Sequence, residues 1–419
     1  MSAPRRVAPT RDWAERADRF QERRRDAALR RQRDARRDVT ARARALAARA
    51  DDRADDRDAA AAAETAENDD AHRDGAAMDD GAAAGAAADA GATRRQKADA
   101  ATKKRAETWC NEFCIPEWMV DIPQGLDGRG SALGDGWYVL ARPEGRRCLV
   151  IASKHRTTSR ALHGEYVHRH FESALPAGTI LECVFVARTA TYYAVDVLCW
   201  GRQNMYDCTA EFRFFWLHSQ LADVGAPADR GGGAFAFANV PYYECDAAGL
   251  AAAYSAPVPY LKDGLLFFAK RGHYDPGLTP LVLLWKDAAT TRYFSPADDH
   301  VFAVLQTDAR GARRTCDSVA VAAVDGGARQ APRAGDLARY EIVLCGGGSP
   351  RPPCDEEDAD DAPPVRGVAA RFDKACSLKR PLADSWSKIV FALRHRTAPL
   401  TIETILANIT KPLEGSPSE

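Results

Sequence analysis

The chain has 419 residues, and at roughly 150 residues per domain this length predicts two or three folded units. Its formal net charge of −1 hides a segregation of charge, because residues 1–50 carry 16 arginines against 7 acidic residues, whereas residues 51–90 carry 13 acidic residues against 3 arginines. No run reaches about 18 apolar residues, and no apolar stretch follows the arginines near the start, so we expect neither a membrane span nor a secretory signal.

The basic segment at the start of the chain is expected to be a helix. Residues 19–49 are rich in Arg and Ala and contain no Gly or Pro. Their apolar side chains are few, so we expect this helix to need a partner rather than to dock on the core of its own chain. The following residues, 51–106, are acidic, Ala-rich and low in complexity, which predicts a disordered linker.

From Trp109 onward the composition is that of a folded β-rich domain. Short apolar runs separated by Gly, Pro and Asp predict antiparallel strands and an α+β fold with few helices. These runs are residues 137–142, 147–153, 180–187, 192–200, 212–217, 264–269 and 281–285. Further on, residues 346–364 are typical of a linker, and residues 384–409 predict one or two final helices.

Eleven cysteines are scattered along the chain, and this odd number predicts reduced thiols rather than a disulfide framework. Cys110 and Cys114 form a C-x3-C pair, but no second Cys or His pair follows at zinc-site spacing. We therefore expect no metal and no cofactor.

The basic segment resembles the importin-β-binding segment of importin α and of the snurportins. Guanidinium groups repeated along a helix suit an acidic superhelical receptor, because each planar fork can pair with a carboxylate in two places. A general basic arm for nucleic acid is the alternative. The resembling positions are Arg23, Arg24, Arg25, Arg30, Arg31, Arg33, Arg36, Arg37, Arg42 and Arg44.

A second resemblance covers about residues 109–305. The blocks IPEWMVDIP, WYVLARPEGRRCLVIAS, YYAVDVLCWGRQNMYDCTAEFRFFWL and YLKDGLLFFAKRGHYDPGLTPLVLLWKD are similar, in order, to the cap-binding domain of the snurportin family. This resemblance implies a fold related to mRNA guanylyltransferases and other nucleotidyltransferases. It also implies a nuclear import adaptor that shuttles between nucleus and cytoplasm. Such an adaptor binds the trimethylguanosine (m3G) cap of spliceosomal small nuclear RNAs and links the particle (snRNP) to importin β.

The two resemblances divide the chain into four predicted parts. Residues 1–50 form the importin-β-binding segment, 51–106 the linker, 107–309 the cap-binding domain, and 310–419 a partly disordered C-terminal extension. The family also implies an exportin for recycling. Residues 1–20 give that partner little support, because their apolar anchors are only Val7, Trp13 and Phe20.

A trimethylated guanine is cationic and has lost the donors of its exocyclic nitrogen, so an aromatic face and apolar surface suit it. By resemblance, Trp285 is the stacking platform, whereas Trp118 and Ile115 lie against the methylated edge. Pro116 stands where some relatives have a serine. Trp285 is offset by one residue from relatives that read PLV-G-W, and both tryptophans could instead be core aromatics, as is expected of Trp200.

The phosphate bridge of the cap requires cations, and Arg147 matches a family arginine in that role. Arg146 and Lys154 are expected to support it. A lysine of some relatives is replaced here, so Arg160 or His163 is the candidate substitute.

An enzyme is the competing hypothesis, since the related fold carries covalent nucleotidyl transfer. That reaction needs a lysine within K-x-D-G. Lys154 is not followed by Asp-Gly, and Lys262 precedes Asp263 directly, so neither lysine fits. We therefore expect a binding protein without catalytic residues, with a nucleotidyltransferase or a general basic RNA-binding protein as alternatives.

Overall fold

The computed structural model describes residues 11–34, 39–51, 100–129, 136–154, 156–201, 203–224, 235–293, 300–324, 332–345, 364–376 and 382–410. Most of the predicted linker at 51–106, most of the one at 346–364, and the exportin-related residues 1–10 lie outside these ranges. Among the helices described, none is both long and apolar enough to cross a membrane.

The described helices are numbered in chain order. They are α1 (Arg11–Asp34), α2 (Val39–Asp51), α3 (residues 100–110), α4 (Ala210–Val224), α5 (Ala247–Ser255), α6 (Trp386–Thr397) and α7 (Ile402–Thr410). The last two confirm the prediction of helices near the C-terminus.

The strand predicted at residues 212–217 is wrong, because this stretch lies in α4. Its buried positions Ala210, Phe214, Leu217 and Leu221 recur every three or four residues, which is the period of a helix rather than of a strand.

Two sheets form the central part of the molecule. The first has the order β1 (Cys114–Trp118), β12 (Gly277–Trp285), β11 (Lys262–Ala269), β2 (Trp137–Pro143), β10 (Tyr242–Glu244). The second has the order β5 (Tyr166–Phe171), β4 (Thr157–Ala161), β3 (Arg146–Ala152), β6 (Ile180–Val186), β7 (Thr191–Trp200), β8 (Gln203–Asn204), and β9 (Ala236–Asn239) pairs with β7.

Most strand pairs are antiparallel, whereas β1 runs parallel to β12 and β9 runs parallel to β7. The predicted α+β class with mainly antiparallel sheets is therefore confirmed.

The core lies on both faces of the first sheet. On one face Leu140 and Leu266 pack against Leu149 and Ile151 of the second sheet. On the other face alternate residues, such as Leu283, pack with α5 and α7. Because successive strand residues point to opposite faces, each strand of the first sheet has one row of side chains between the sheets and one row outside them.

The C-terminal region contains a closed five-stranded barrel. Its strands β13 (Val301–Thr307), β14 (Arg313–Arg314), β15 (Ala320–Ala323), β17 (Val365–Ala375) and β16 (Leu337–Leu344) follow one another in that order. The predicted boundary at residues 309/310 falls between its first two strands. The described part of the predicted extension is therefore folded, and the barrel has its own core with α6.

The basic helices dock on the rest of the chain, so the expectation that they cannot do so is wrong. Ala28 of α1 and Leu46 of α2 are 4% and 1% exposed within the two central cores. The amide of Gln32 accepts a hydrogen bond from the backbone N–H of His273 (2.9 Å) and donates one to the carbonyl of Arg271 (3.0 Å). Small apolar residues and such polar contacts hold the helices, which a count of bulky apolar residues does not detect.

Candidate functional site

A cavity of about 180 Å³ lies between the two sheets. Ten residues of β2, β3, β6, β7, β11 and β12 line the cavity. Four residues of β1, at the edge of the first sheet, form the remaining wall. The lining residues are Cys114, Ile115, Pro116, Trp118, Arg142, Arg147, Glu182, Val184, Val195, Asp196, Leu266, Phe268, Val282 and Leu284. The structure thus brings four predicted ligand residues together, namely Ile115, Pro116, Trp118 and Arg147.

The two faces of strand β1 make different contacts, one with the cavity and one with α1. Its pairing register with β12 shifts between Pro116 and Glu117. The side chain of Glu117 turns away from the cavity, is 1% exposed, and contacts Gln21 Nε2 (3.0 Å) and Arg24 Nη1 (2.8 Å) of α1. Burial raises the pKa of Glu117, although Arg24 and Gln21 oppose this shift.

Trp118 is a half-buried aromatic residue at the cavity wall. Its ring lies 4.9 Å from that of Phe391 in α6, measured between centroids, and its backbone N–H donates to Ser387 Oγ (3.1 Å). The ammonium of Lys286 lies 5.9 Å from the centre of the Trp118 ring, a cation–π distance. Trp118 therefore presents an aromatic surface that already interacts with a cation.

Arg147 lines the cavity, and its guanidinium already donates hydrogen bonds within the chain. Its Nε donates to Glu182 Oε1 (2.7 Å), and Nη2 donates to the carbonyl of Cys114. Burial alone would lower the pKa of Arg147, but Glu182 together with Tyr274 and Cys114 outweighs that effect, so the pKa is raised. Arg147 is thus fully charged, and an incoming anion has to share it with Glu182.

Asp196 also lines the cavity, but its carboxylate is held by Arg213. Arg213 Nε and Nη2 donate to its two oxygens at 2.8 and 2.9 Å, and both side chains are 2% exposed. Such a buried bidentate pair positions the backbone around it. This placement indicates a structural role for Asp196.

Trp285 does not reach the cavity, so its assignment as the stacking platform is wrong. It is fully buried, packs beside Leu283 in the core on the outer face of the first sheet, and donates from Nε1 to the carbonyl of Leu400 (2.8 Å). The neighbouring Leu284 faces the cavity instead. Trp285 is offset by one residue from relatives that read PLV-G-W. Because adjacent strand residues point to opposite faces, this offset turns the Trp285 side chain away from the cavity.

The predicted phosphate-supporting residues lie outside the cavity lining. Arg146 is exposed and pairs with Glu165 at 3.2 Å, and Lys154 is exposed after β3. Arg160 is 1% exposed, donates to Gly164 O (2.9 Å) and Tyr166 Oη (2.7 Å), and is a structural residue. The assignment of Arg160 to the phosphates is therefore wrong.

A cluster of charged residues beside the cavity was missing from the predicted site. Asp263 Oδ1 accepts hydrogen bonds from Lys286 Nζ (2.5 Å) and Thr291 Oγ1 (2.7 Å), and its Oδ2 pairs with Arg142. Burial would raise the pKa of Asp263, but Arg142 and Lys286 hold it below its usual value. In the sequence, Asp263 was considered only as part of the nucleotidyltransferase motif that Lys262 does not match.

The register of three neighbouring strands builds this cluster. Leu265 pairs with both Ala141 and Trp285, so Gly264 lies between Arg142 and Lys286. Gly264 has a φ of +93°, and a Cβ there would lie 2.6 Å from Lys286 Cγ. A glycine is required at this position because a Cβ would also lie 2.5 Å from the backbone oxygen of Trp285, and because residues with a side chain rarely adopt this φ.

The arginines predicted to bind importin β fall into three sets. Arg23, Arg30, Arg31, Arg33 and Arg44 are exposed, whereas Arg36 and Arg37 lie outside the described residues. The others contact the folded chain.

Three arginines of α1 and α2 face the domain. Arg24 pairs with Glu117, Arg25 is 4% exposed with its guanidinium 5.9 Å from the Trp137 ring centre, and Arg42 Nε donates to Glu112 Oε2 (2.8 Å). Any receptor for these three residues has to displace contacts made within the chain.

Among the residues described, no group of three or more His, Cys, Asp or Glu side chains is arranged to hold a metal ion. Cys110 and Cys114 are both buried free thiols. Burial raises the pKa of Cys110 to about 11.

Residues 112–287 match the family model described as "Snurportin1, m3G cap-binding domain". These residues span β1 to β12 and contain both central sheets and the cavity between them. Over these residues the chain is therefore similar to an RNA cap-binding domain. The resemblance to the snurportin family is confirmed over residues 112–287.

Solved structures of DNA ligases resemble the chain at low identity. A mycobacterial DNA ligase D complexed with ATP and MES is 11% identical, covers 59% of this chain and 92% of that chain, and has a TM-score of 0.28. A structure from a study of Lig E DNA ligases is 10% identical, covers 63% of this chain and 98% of that chain, and has a TM-score of 0.27. At scores this low the likeness carries no argument about a reaction or ligand of this chain.

Proposed function

We propose that this chain is a nuclear import adaptor that binds the m3G cap of spliceosomal small nuclear RNAs in the cavity and importin β through α1 and α2. The observation that carries the proposal is the family match over residues 112–287, within which Ile115, Pro116, Trp118 and Arg147 line one cavity. The adaptor would shuttle between cytoplasm and nucleus.

The chemistry of the cavity supports a methylated, cationic base. Its walls are largely apolar, with Ile115, Val184, Val195, Leu266 and Leu284 among them. Apolar surface suits the methyl groups, and the Trp118 ring offers an aromatic face to the positive charge. Since Leu284 rather than a tryptophan faces the cavity from β12, Trp118 is the principal stacking surface in this proposal.

Calorimetric titration with the cap dinucleotide m3GpppG tests the cap-binding part. Trp118→Ala should weaken binding by about fivefold to a hundredfold, the usual effect of removing one stacked aromatic. Trp285→Phe is the matched control and should bind as wild type does, because Trp285 lies in the core on the opposite face of the sheet. Equal affinities of wild type and Trp118→Ala would reject the cavity as the cap site.

The importin β part is tested on exposed arginines that the fold does not need. Arg30, Arg31 and Arg33 are exposed on α1, so their joint replacement by Gln should preserve folding. We expect this triple variant to lose most importin β binding in a pull-down while keeping its affinity for m3GpppG. If it instead loses affinity for uncapped RNA and keeps importin β, the segment is a general RNA-binding arm.

We propose that the chain binds its ligand without covalent catalysis. Lys154 is exposed and absent from the cavity lining, and the Lys262 ammonium donates to the carbonyls of Ala253 (3.0 Å) and Tyr254 (2.6 Å). Incubation with radiolabelled GTP or ATP should give no covalent adduct. An adduct that disappears in Lys154→Ala would establish the nucleotidyltransferase alternative.

A further inference from the structure

We infer that Arg142 and Lys286, held side by side by Asp263, form the position that binds the polyphosphate chain of the ligand. This inference rests on the proposed function, because it assigns the phosphates of the same cap. It replaces the supporting residues expected from the sequence, since Arg146 and Lys154 are exposed outside the cavity and Arg160 is held by Gly164 and Tyr166. Lys286 is not a lining residue itself, but its ammonium lies 5.9 Å from the ring centre of Trp118, which is one.

The two cations share a single carboxylate. Asp263 contacts both of them, whereas the two acidic residues that line the cavity are each paired with one arginine, Glu182 with Arg147 and Asp196 with Arg213. Among the charged side chains that the structure describes here, one positive charge is therefore in excess, and it lies at Arg142 and Lys286.

This excess charge lies in a poorly solvated place. The side chains of Arg142, Asp263 and Lys286 are 21%, 11% and 11% exposed. Burial, and then the neighbouring Arg142, lower the pKa of Lys286. Charges interact strongly where water is scarce, so an anion that joins this cluster would stabilise both cations.

The cluster adjoins the surface proposed for the base. Arg142 lines the cavity, and Lys286 lies over the Trp118 ring. Arginine carries five N–H donors, and Asp263 accepts from Nη1, so donors remain for phosphate oxygens. A base against Trp118 would displace the lysine ammonium from the ring and bring its phosphates to the same two cations.

The experiment compares three probes on the full-length chain: m3GpppG, the m3G nucleoside without phosphates, and inorganic tripolyphosphate. Arg142→Gln and Lys286→Gln should each weaken m3GpppG and tripolyphosphate binding roughly tenfold or more, the effect of losing one charge-assisted contact. Affinity for the nucleoside should stay within about twofold of wild type. Arg146→Gln is the matched control and should not change any of the three affinities.

The variant Lys286→Arg is the control for folding, because it keeps the positive charge and should keep tripolyphosphate binding. The inference would be overturned if Arg142→Gln bound tripolyphosphate as tightly as wild type does. It would also be overturned if Arg146→Gln lost as much tripolyphosphate affinity as Arg142→Gln. If the wild type binds tripolyphosphate in the expected Arg142-dependent manner but shows no preference for a methylated cap, the phosphate site holds and the proposed cap function fails. No binding of tripolyphosphate by the wild type would overturn the phosphate site whatever the result with caps.

Discussion

At the scale of single residues, Trp118 and Trp285 show what a sequence can and cannot predict about a site. Both are aromatic residues within β-rich blocks of the same family resemblance, and either fits a stacking role by residue type. The direction of a strand side chain depends on register, and a shift of one residue reverses it. The offset at PLVLLW was visible in the sequence, but only the pairing of β12 with β11 shows that Leu284 faces the cavity.

Trp285→Ala should destabilise the protein by about 3–5 kcal/mol, because it leaves a large void in a fully buried position. It also leaves the carbonyl of Leu400 without its donor. Urea unfolding measures this loss. A variant as stable as wild type would contradict the core position of Trp285.

The ionisation of Asp263 should make stability depend on pH. Arg142 and Lys286 hold its folded-state pKa below its unfolded value of about 3.9, so its contribution is complete above that pH. The contribution is lost as the pH falls through the folded-state pKa. The difference in urea midpoint between wild type and Asp263→Asn should therefore stay constant above about pH 5 and narrow as the pH falls below about 4. A constant difference would show that the carboxylate is not stabilised by these cations.

At the scale of elements, strands were predicted better than the docking of helices. The runs at 137–142 and 192–200 lie in strands, and so does the run at 180–187 apart from Ala187. Short continuous apolar runs are typical of buried strands, which is why the sequence predicts them well. The docking of α1 was missed, since alanine and glutamine contribute little to an apolar count. In the structure Ala28 allows close approach and Gln32 hydrogen-bonds the backbone near His273.

Ala28→Glu should detach α1, because it buries an unpaired carboxylate in the contact with the first sheet. Hydrogen exchange of the backbone amides of α1 should accelerate at least about tenfold, while β11 and β12 keep their protection. Arg30→Glu, on the exposed side of the same helix, is the control and should leave exchange unchanged. Unchanged protection of α1 in Ala28→Glu would contradict the docked arrangement.

At the scale of the whole molecule, the barrel and the C-terminal helices complete the domain that the family model covers. Arg394 of α6 contacts the carbonyl of Val120 and the carboxylate of Asp121, and Phe391 packs against Trp118. The sequence predicted α6 and α7 but not the barrel. Barrel closure depends on pairings between distant strands, such as β13 with β16, which no local pattern encodes.

Phe391→Ala should weaken cap binding even though Phe391 does not line the cavity. An aromatic pair contributes about 0.5–1.5 kcal/mol, so loss of this support for Trp118 should reduce affinity about twofold to tenfold. Leu393→Ala is the control, because Leu393 packs into the barrel core on the same helix. Titration of both variants with m3GpppG separates loss of support for Trp118 from general destabilisation of α6. Equal losses of affinity in the two variants would show that α6 as a whole is destabilised.

The charge of the whole chain is better understood by region than as a total. The near-neutral sum combines a basic N-terminal segment, an acidic stretch after it and a balanced remainder. The proposed RNA contact then depends on one cavity with a single surplus cation rather than on a broad basic surface.

The most direct test of the central claim is the ratio of wild-type affinities for m3GpppG and the monomethylated m7GpppG, measured by calorimetry in the same buffer. The walls around Trp118 and Ile115 are largely apolar, and apolar surface suits the extra methyl groups of the trimethylated cap. The account predicts tighter binding of the trimethylated cap and a reduced ratio in Trp118→Ala. Equal affinities, or tighter binding of m7GpppG, would contradict it.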